Sequence, residues 1–104
     1  MSQDPIDRYF ARAVGADRAA YLAQFAEDAV VTDEGRTHSG VAAIADWRGA
    51  VPPVTYSVRS VEPTADGRRA HTEIAGDFPG SPVLLRFDFA FAEDGRITRL
   101  AIGV

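Results

Sequence analysis

A tyrosine and an aspartate are the residues of this chain best suited to act together. Tyr9 falls on the apolar face of an expected amphipathic helix. Asp33 closes a short apolar strand, Ala29-Val30-Val31-Thr32, which follows a second helix expected to end with Gln24-Phe25-Ala26-Glu27-Asp28. If the helices cover the hollow of a curved sheet, one cavity receives both groups. A carboxylate placed there can carry a proton between atoms of a ligand, and a phenol can donate to an oxygen on which negative charge builds up. The pairing points to proton transfer on a small ligand, and nothing else in the sequence specifies which one.

Each of the two residues also has a plainer reading. Asp33 can serve as a strand-end carboxylate that caps the turn before Gly35 and pairs with Arg36. A catalytic base needs partly apolar surroundings, which Phe25, Trp47, Phe87 and Phe89 would supply. Tyr9 is either a ligand donor or a buried tyrosine tied to a backbone carbonyl. Trp47 is either core or ligand platform. His38, in a Gly-rich turn near Asp33, is either its acid/base partner or an exposed turn residue. His71 and Glu73 alternate with Ala70, Thr72 and Ile74 and so belong to the outer face of a sheet, as do Arg86 and Asp88, which read as an ion pair or subunit contact. The two histidines lack the close spacing of metal ligands, and no metal or cofactor is expected.

The residues that are missing narrow the chemistry further. All eleven basic residues are arginine, and the chain has no lysine, cysteine or asparagine. That composition removes Schiff-base lysines, thiolate nucleophiles, disulfides and N-glycosylation. With a net charge of −4 and scattered arginines, nucleic acid is an unexpected partner. No apolar run approaches the ~20 residues of a membrane span, and the start of the chain has no basic, apolar leader, so a soluble cytoplasmic protein is expected. The 104 residues, 46% of them hydrophobic, suffice for one domain spanning 1–104 with one core.

The elements that must position these groups follow from periodicity. Asp4-Pro5 is a helix start, and Ile6, Tyr9, Phe10, Ala13 and Val14 recur at helical spacing until Gly15. Asp17 can cap the next helix, with Ala20, Tyr21, Leu22 and Phe25 as its stripe. Gly35 and Gly40 bracket a turn, and Val41, Ile44, Ala45 and Trp47 suggest a third helix stopped by Pro52-Pro53. The period then changes to two. Strands are expected at Val54 to Arg59, Ala70 to Asp77, Val83 to Phe91 and Ile97 to Val104, with Phe87, Phe89 and Phe91 on one face. Three helices therefore precede a four-stranded antiparallel meander, an α+β arrangement in which the helix stripes cover the apolar face.

The Phe25 to Asp33 segment, the following His38-Ser39-Gly40 with Ile44 and Trp47, and the Glu93-Asp94-Gly95-Arg96-Ile97 turn together resemble the nuclear-transport-factor-2-like superfamily. Within it the likeness is to SnoaL-like polyketide cyclases and ketosteroid isomerases, over nearly the whole chain. The resemblance implies a cone-shaped NTF2-like (cystatin-like) fold, with N-terminal helices in the concavity of a curved antiparallel sheet, and a homodimer through the outer sheet face. That face is expected to carry Tyr56, His71, Glu73, Arg86 and Asp88. It also implies cofactor-free isomerisation or cyclisation of a small apolar carbonyl compound, with Asp33 as the base, Tyr9 as the oxyanion donor, and Phe25, Trp47, Phe87, Phe89 and Leu100 lining the pocket. The isomerases' second donor, a protonated aspartate, has Phe87 at its place here, and the neighbouring Asp88 points to the other face. A lost donor of this kind costs about 3–4 kcal/mol of transition-state stabilisation. A ligand-binding or dimerising module without chemistry is therefore the competing expectation.

Overall fold

The computed structural model describes residues 4–50 and 53–104. Helix α1, Pro5–Ala13, starts where expected, with the Asp4 carboxylate accepting from the Ile6 amide at 2.8 Å and Pro5 in the first turn. Ile6, Tyr9, Phe10 and Ala13 are buried, whereas Val14 lies beyond the last turn and is exposed. Asp17 likewise caps α2, Arg18–Leu22, by accepting from the Ala20 amide.

The second helix is shorter than its apolar stripe suggests. Phe25 to Asp28 are strand, the first part of β1, Phe25–Asp33. Ile97 explains the difference. Its amide donates to the Gln24 carbonyl at 2.8 Å, and Phe25 pairs with it in parallel register. A partner distant in sequence thus overrides the local helical pattern.

The segment bracketed by Gly35 and Gly40 also differs from expectation. It is a strand, β2, Arg36–Ser39, joined to β1 by the two-residue turn Glu34-Gly35. Both turn residues have positive φ, 53° and 76°, the combination that suits the twist of a tight hairpin. Helix α3, Val41–Ala50, follows with Ile44 buried. Of the two prolines expected to stop it, Pro52 lies outside the described residues.

The remaining strands are β3, Val54–Pro63, β4, Gly67–Gly76, β5, Val83–Phe91, and β6, Ile97–Gly103. Together they form a curved six-stranded sheet in the order β2-β1-β6-β5-β4-β3. The expected sheet was antiparallel with four strands; the observed one is mixed, because β6 lies beside β1 in parallel register. β4 passes so close to β5 at Gly67 that a Cβ there would stand 1.8 Å from the Phe89 carbonyl oxygen, which reserves the position for glycine.

Helix α1 packs into the hollow of this sheet. Tyr9 and Phe10 meet Phe89 and Phe87 edge to face, at 5.1 Å between ring centroids in each pair. The outer face carries paired charges: Arg69 and Arg86 both hold Asp88, Arg59 holds Glu73, and His71 approaches Glu62. Tyr56 does not join them. It pairs with Ile74 across β3 and β4, and its ring packs on Phe10 and Phe87, so it belongs to the inner face. No described helix is long and apolar enough to cross a membrane.

Candidate functional site

Between the helices and the inner sheet face lies an open cavity of about 1180 Å³. Asp33 and Tyr9 both line it. The hairpin sets the position of Asp33: as the last residue of β1 it stands opposite Arg36, with Val31 and His38 paired two residues deeper on the same face. Its carboxylate is half-buried and is held by α3, whose Trp47 donates its indole N–H to Oδ2 at 3.1 Å. Trp47 in turn packs against the His38 ring, 5.9 Å between centroids, and both face the cavity. Arg36 is exposed and forms no ion pair with Asp33 within 4 Å.

Tyr9 is nearly inaccessible to solvent, and its hydroxyl shares a hydrogen bond of 2.8 Å with the Tyr21 hydroxyl. Burial, followed by the neighbouring Tyr21, raises the Tyr9 phenol well above its ordinary value, and burial pushes Tyr21 up to about 12. Both phenols therefore keep their protons throughout the physiological range, and either can be the donor in the bond between them.

Of the side chains expected to line the pocket, Trp47 and Phe87 do so. Phe25, Phe89 and Leu100 sit in the core outside the cavity wall: Phe25 packs against Tyr9 and Tyr21, Phe89 packs against Tyr9 and Phe91, and Leu100 is fully buried. Phe87, where the resemblance led a second donor to be expected, presents only a ring. The Asp88 carboxylate is on the outer face with Arg69 at 2.6 Å and Arg86 at 3.0 Å.

Two polar residues of the cavity, Arg48 and Tyr56, escape sequence reasoning. Arg48, half-buried, lies with its guanidinium 4.9 Å from the centre of the Tyr21 ring and donates to the Ala13 carbonyl and to the Tyr56 hydroxyl. It also borders a smaller cavity of about 350 Å³ between α1 and α3. Burial works against its charge, but the Tyr56 hydrogen bond and the phenols of Tyr56, Tyr21 and Tyr9 outweigh burial and keep the guanidinium above its ordinary value. The spacing Ile44, Trp47, Arg48 on one helix face was the available signal. Among the described residues no three or more His, Cys, Asp or Glu side chains gather as a metal site.

Residues 6–100 match the model of the SnoaL-like domain. A proposed polyketide cyclase from Sinorhizobium meliloti is similar at 36% identity with a TM-score of 0.87, covering 97% of this chain and 94% of that one. A Delta 5-3-ketosteroid isomerase from a Mycobacterium species shares 19% identity with a TM-score of 0.80, covering 96% and 89% of the two chains. A Mycobacterium tuberculosis protein in complex with estradiol-17beta-hemisuccinate shares 18% identity with a TM-score of 0.76, covering 96% and 93%. The last two show likeness of fold alone. No curated protein sequence matches the chain. The match along nearly all of the chain, on a curved sheet that brings Asp33 and Tyr9 to one cavity, means that this protein belongs to the SnoaL-like family.

Proposed function

We propose that this protein is a cofactor-free isomerase or cyclase that moves a proton on a small apolar carbonyl compound, with Asp33 as base and Tyr9 as oxyanion donor. The observation that carries this reading is the shared cavity, in which a carboxylate steadied by one indole N–H and a neutral phenol border the same apolar space. The Asp33 carboxylate takes the proton from the carbon beside the carbonyl. The C–H electron pair becomes the enolate double bond, and the carbonyl oxygen takes up the negative charge while Tyr9 donates to it. Asp33 then returns the proton to carbon, or the enolate carbon attacks a second carbonyl of the same ligand to close a ring. In the second case the C–O π pair of that carbonyl becomes an alkoxide lone pair, and Asp33 gives its proton to the alkoxide oxygen. For Tyr9 to donate to the ligand, Tyr21 must donate to Tyr9. The likeness to a proposed polyketide cyclase at 36% identity supports the substrate class, and the family resemblance supports a homodimer through the outer sheet face.

A second reading has its own support. Phe87 offers no second donor, and the Tyr9 hydroxyl already has a partner in Tyr21, which suits a module that binds a small apolar ligand without chemistry.

Exchange of α-protons with deuterated solvent, over a panel of enolisable apolar ketones chosen by thermal stabilisation, separates the two readings. Asp33→Asn is expected to lower exchange at least about 10²-fold and Tyr9→Phe by about 10², with the fold retained in both. Ketones that stabilise the wild type, exchange no faster than in buffer and bind Asp33→Asn equally well would establish the module instead.

A further inference from the structure

Tyr56 borders the same cavity as Asp33 and Tyr9, and its hydroxyl is held by a group that can only donate. Arg48 Nη1 lies 3.1 Å from the Tyr56 oxygen. A guanidinium has no acceptor lone pair, so Tyr56 must accept this bond and keeps its own hydrogen free. Among the described residues no acceptor within hydrogen-bonding distance takes that hydrogen. Tyr9 differs, because its partner is another hydroxyl and either of the two can be the donor. Of the three phenols near Arg48, Tyr56 alone combines an uncommitted hydrogen with a direct bond from a cation.

The surroundings hold Tyr56 in this role. Its ring packs at 5.2 Å on Phe10 and at 6.4 Å on Phe87, the residue that stands where a second donor is missing. Arg48 is anchored from behind by the Ala13 carbonyl, and among the described residues no carboxylate lies within 4 Å of it. A half-buried cation without a counter-ion leaves its field to act on whatever negative charge collects beside Tyr56. Tyr9, Arg48 and Tyr56 all line this one cavity.

We propose that Tyr56, polarised by Arg48, is the second hydrogen-bond donor to the ligand oxygen, so that an oxyanion in this cavity is shared between Tyr9 and Tyr56. Its catalytic part rests on the proton-transfer reading, whereas its recognition part, a preference for enolate-like and phenolate-like oxygens, requires no turnover.

The test uses 4-nitrophenol, whose ionised form has its own absorption band, and nitrobenzene as a neutral ligand of similar shape, both titrated into the full chain. The wild type is expected to bind nitrophenolate at least about tenfold more tightly than nitrobenzene. Tyr56→Phe and Arg48→Met are each expected to weaken nitrophenolate about ten- to a hundredfold, the worth of a hydrogen bond to a charged group, and to leave nitrobenzene within about twofold. The two losses combined in one chain are expected to be less than additive, and Arg48→Lys to restore part of the affinity. Tyr56→Phe removes a single oxygen and keeps the test valid if Arg48→Met does not fold. Nitrophenolate binding to Tyr56→Phe as tight as to wild type, a parallel loss of nitrobenzene, or no nitrophenolate binding at millimolar concentration would overturn the proposal. Proton exchange reports separately on Asp33. If Asp33→Asn abolishes exchange while Tyr56→Phe leaves nitrophenolate binding unchanged, the Tyr56 donor falls and proton transfer stands. The opposite pattern retains the Tyr56 donor in a site that only binds.

Discussion

Asp33 is held from one side. Oδ2 accepts from Trp47, while Oδ1 has no partner among the described residues, which in the proposed reaction leaves it for a ligand's proton. In that reading Trp47 is a positioning residue, and Trp47→Phe, which keeps an aromatic ring but deletes the N–H, is expected to slow α-proton exchange about tenfold while affinity for the ketone changes by less than about twofold. Steady-state exchange kinetics at several ketone concentrations checks the split. The phenols make a second prediction. With no lysine or cysteine in the chain, tyrosines are the side chains that titrate between about pH 9 and 12. Tyr21 shifts from 10.0 to about 12 on folding. Below pH 10 both folded and unfolded chains keep this proton, and the stabilisation is fully present. Between 10 and 12 the unfolded chain releases it first, so stability falls as pH rises and is lost through about 12. Urea unfolding over this range is expected to show a decline to which Tyr21 contributes about 2–3 kcal/mol, so that Tyr21→Phe makes the decline shallower while the raised Tyr9 keeps its own part.

At the scale of elements, the β1–β2 hairpin decides where the carboxylate stands. Glu34 occupies φ 53°, a conformation that costs a residue with a Cβ and suits asparagine better. Glu34→Asn is expected to raise unfolding stability by about 0.5–1 kcal/mol, read as a higher thermal midpoint, with Asp33 undisturbed. The hairpin was only half legible, because Gly35 announced a turn while the four residues Arg36–Ser39 are too few for a clear alternation. The α2 boundary was illegible for a different reason. Phe25 fits a helical stripe, and only its pairing with Ile97, far along the chain, makes it strand. Helix α1 and strand β5 were read correctly, since the Asp4-Pro5 start and the Phe87, Phe89, Phe91 alternation are local signals.

For the whole molecule, the outer sheet face sets the expectation for assembly. Arg69, Asp88 and Arg86 form one cluster, Arg59 and Glu73 another, and Leu84 stands exposed on the same face. A surface that carries both signs can complement its own copy about a two-fold axis. Light scattering at micromolar concentration is expected to give twice the chain mass, and Asp88→Arg, which gathers three arginines, to give a monomer. A wild-type monomer would rule out the dimer.

The sequence by itself determined the helix starts at Asp4-Pro5 and Asp17, the strand-rich second half with Phe87, Phe89 and Phe91 on one face, and the candidate pair Tyr9 and Asp33, because caps, turns and periodicity act over a few residues. Tertiary structure alone decided the rest. The parallel seating of β6 beside β1 depends on partners about 70 positions apart, a separation that periodicity does not encode. The division of the aromatics into cavity wall and core followed from that seating: Phe87 faces the cavity, whereas Phe89, on the same face two residues on, is covered by Tyr9. Arg48 shows the limit most clearly. As one of eleven arginines it is marked in the sequence only by its helical spacing from Ile44 and Trp47, and it meets Tyr21 and Tyr56, two tyrosines from separate elements, only when α3 brings it there.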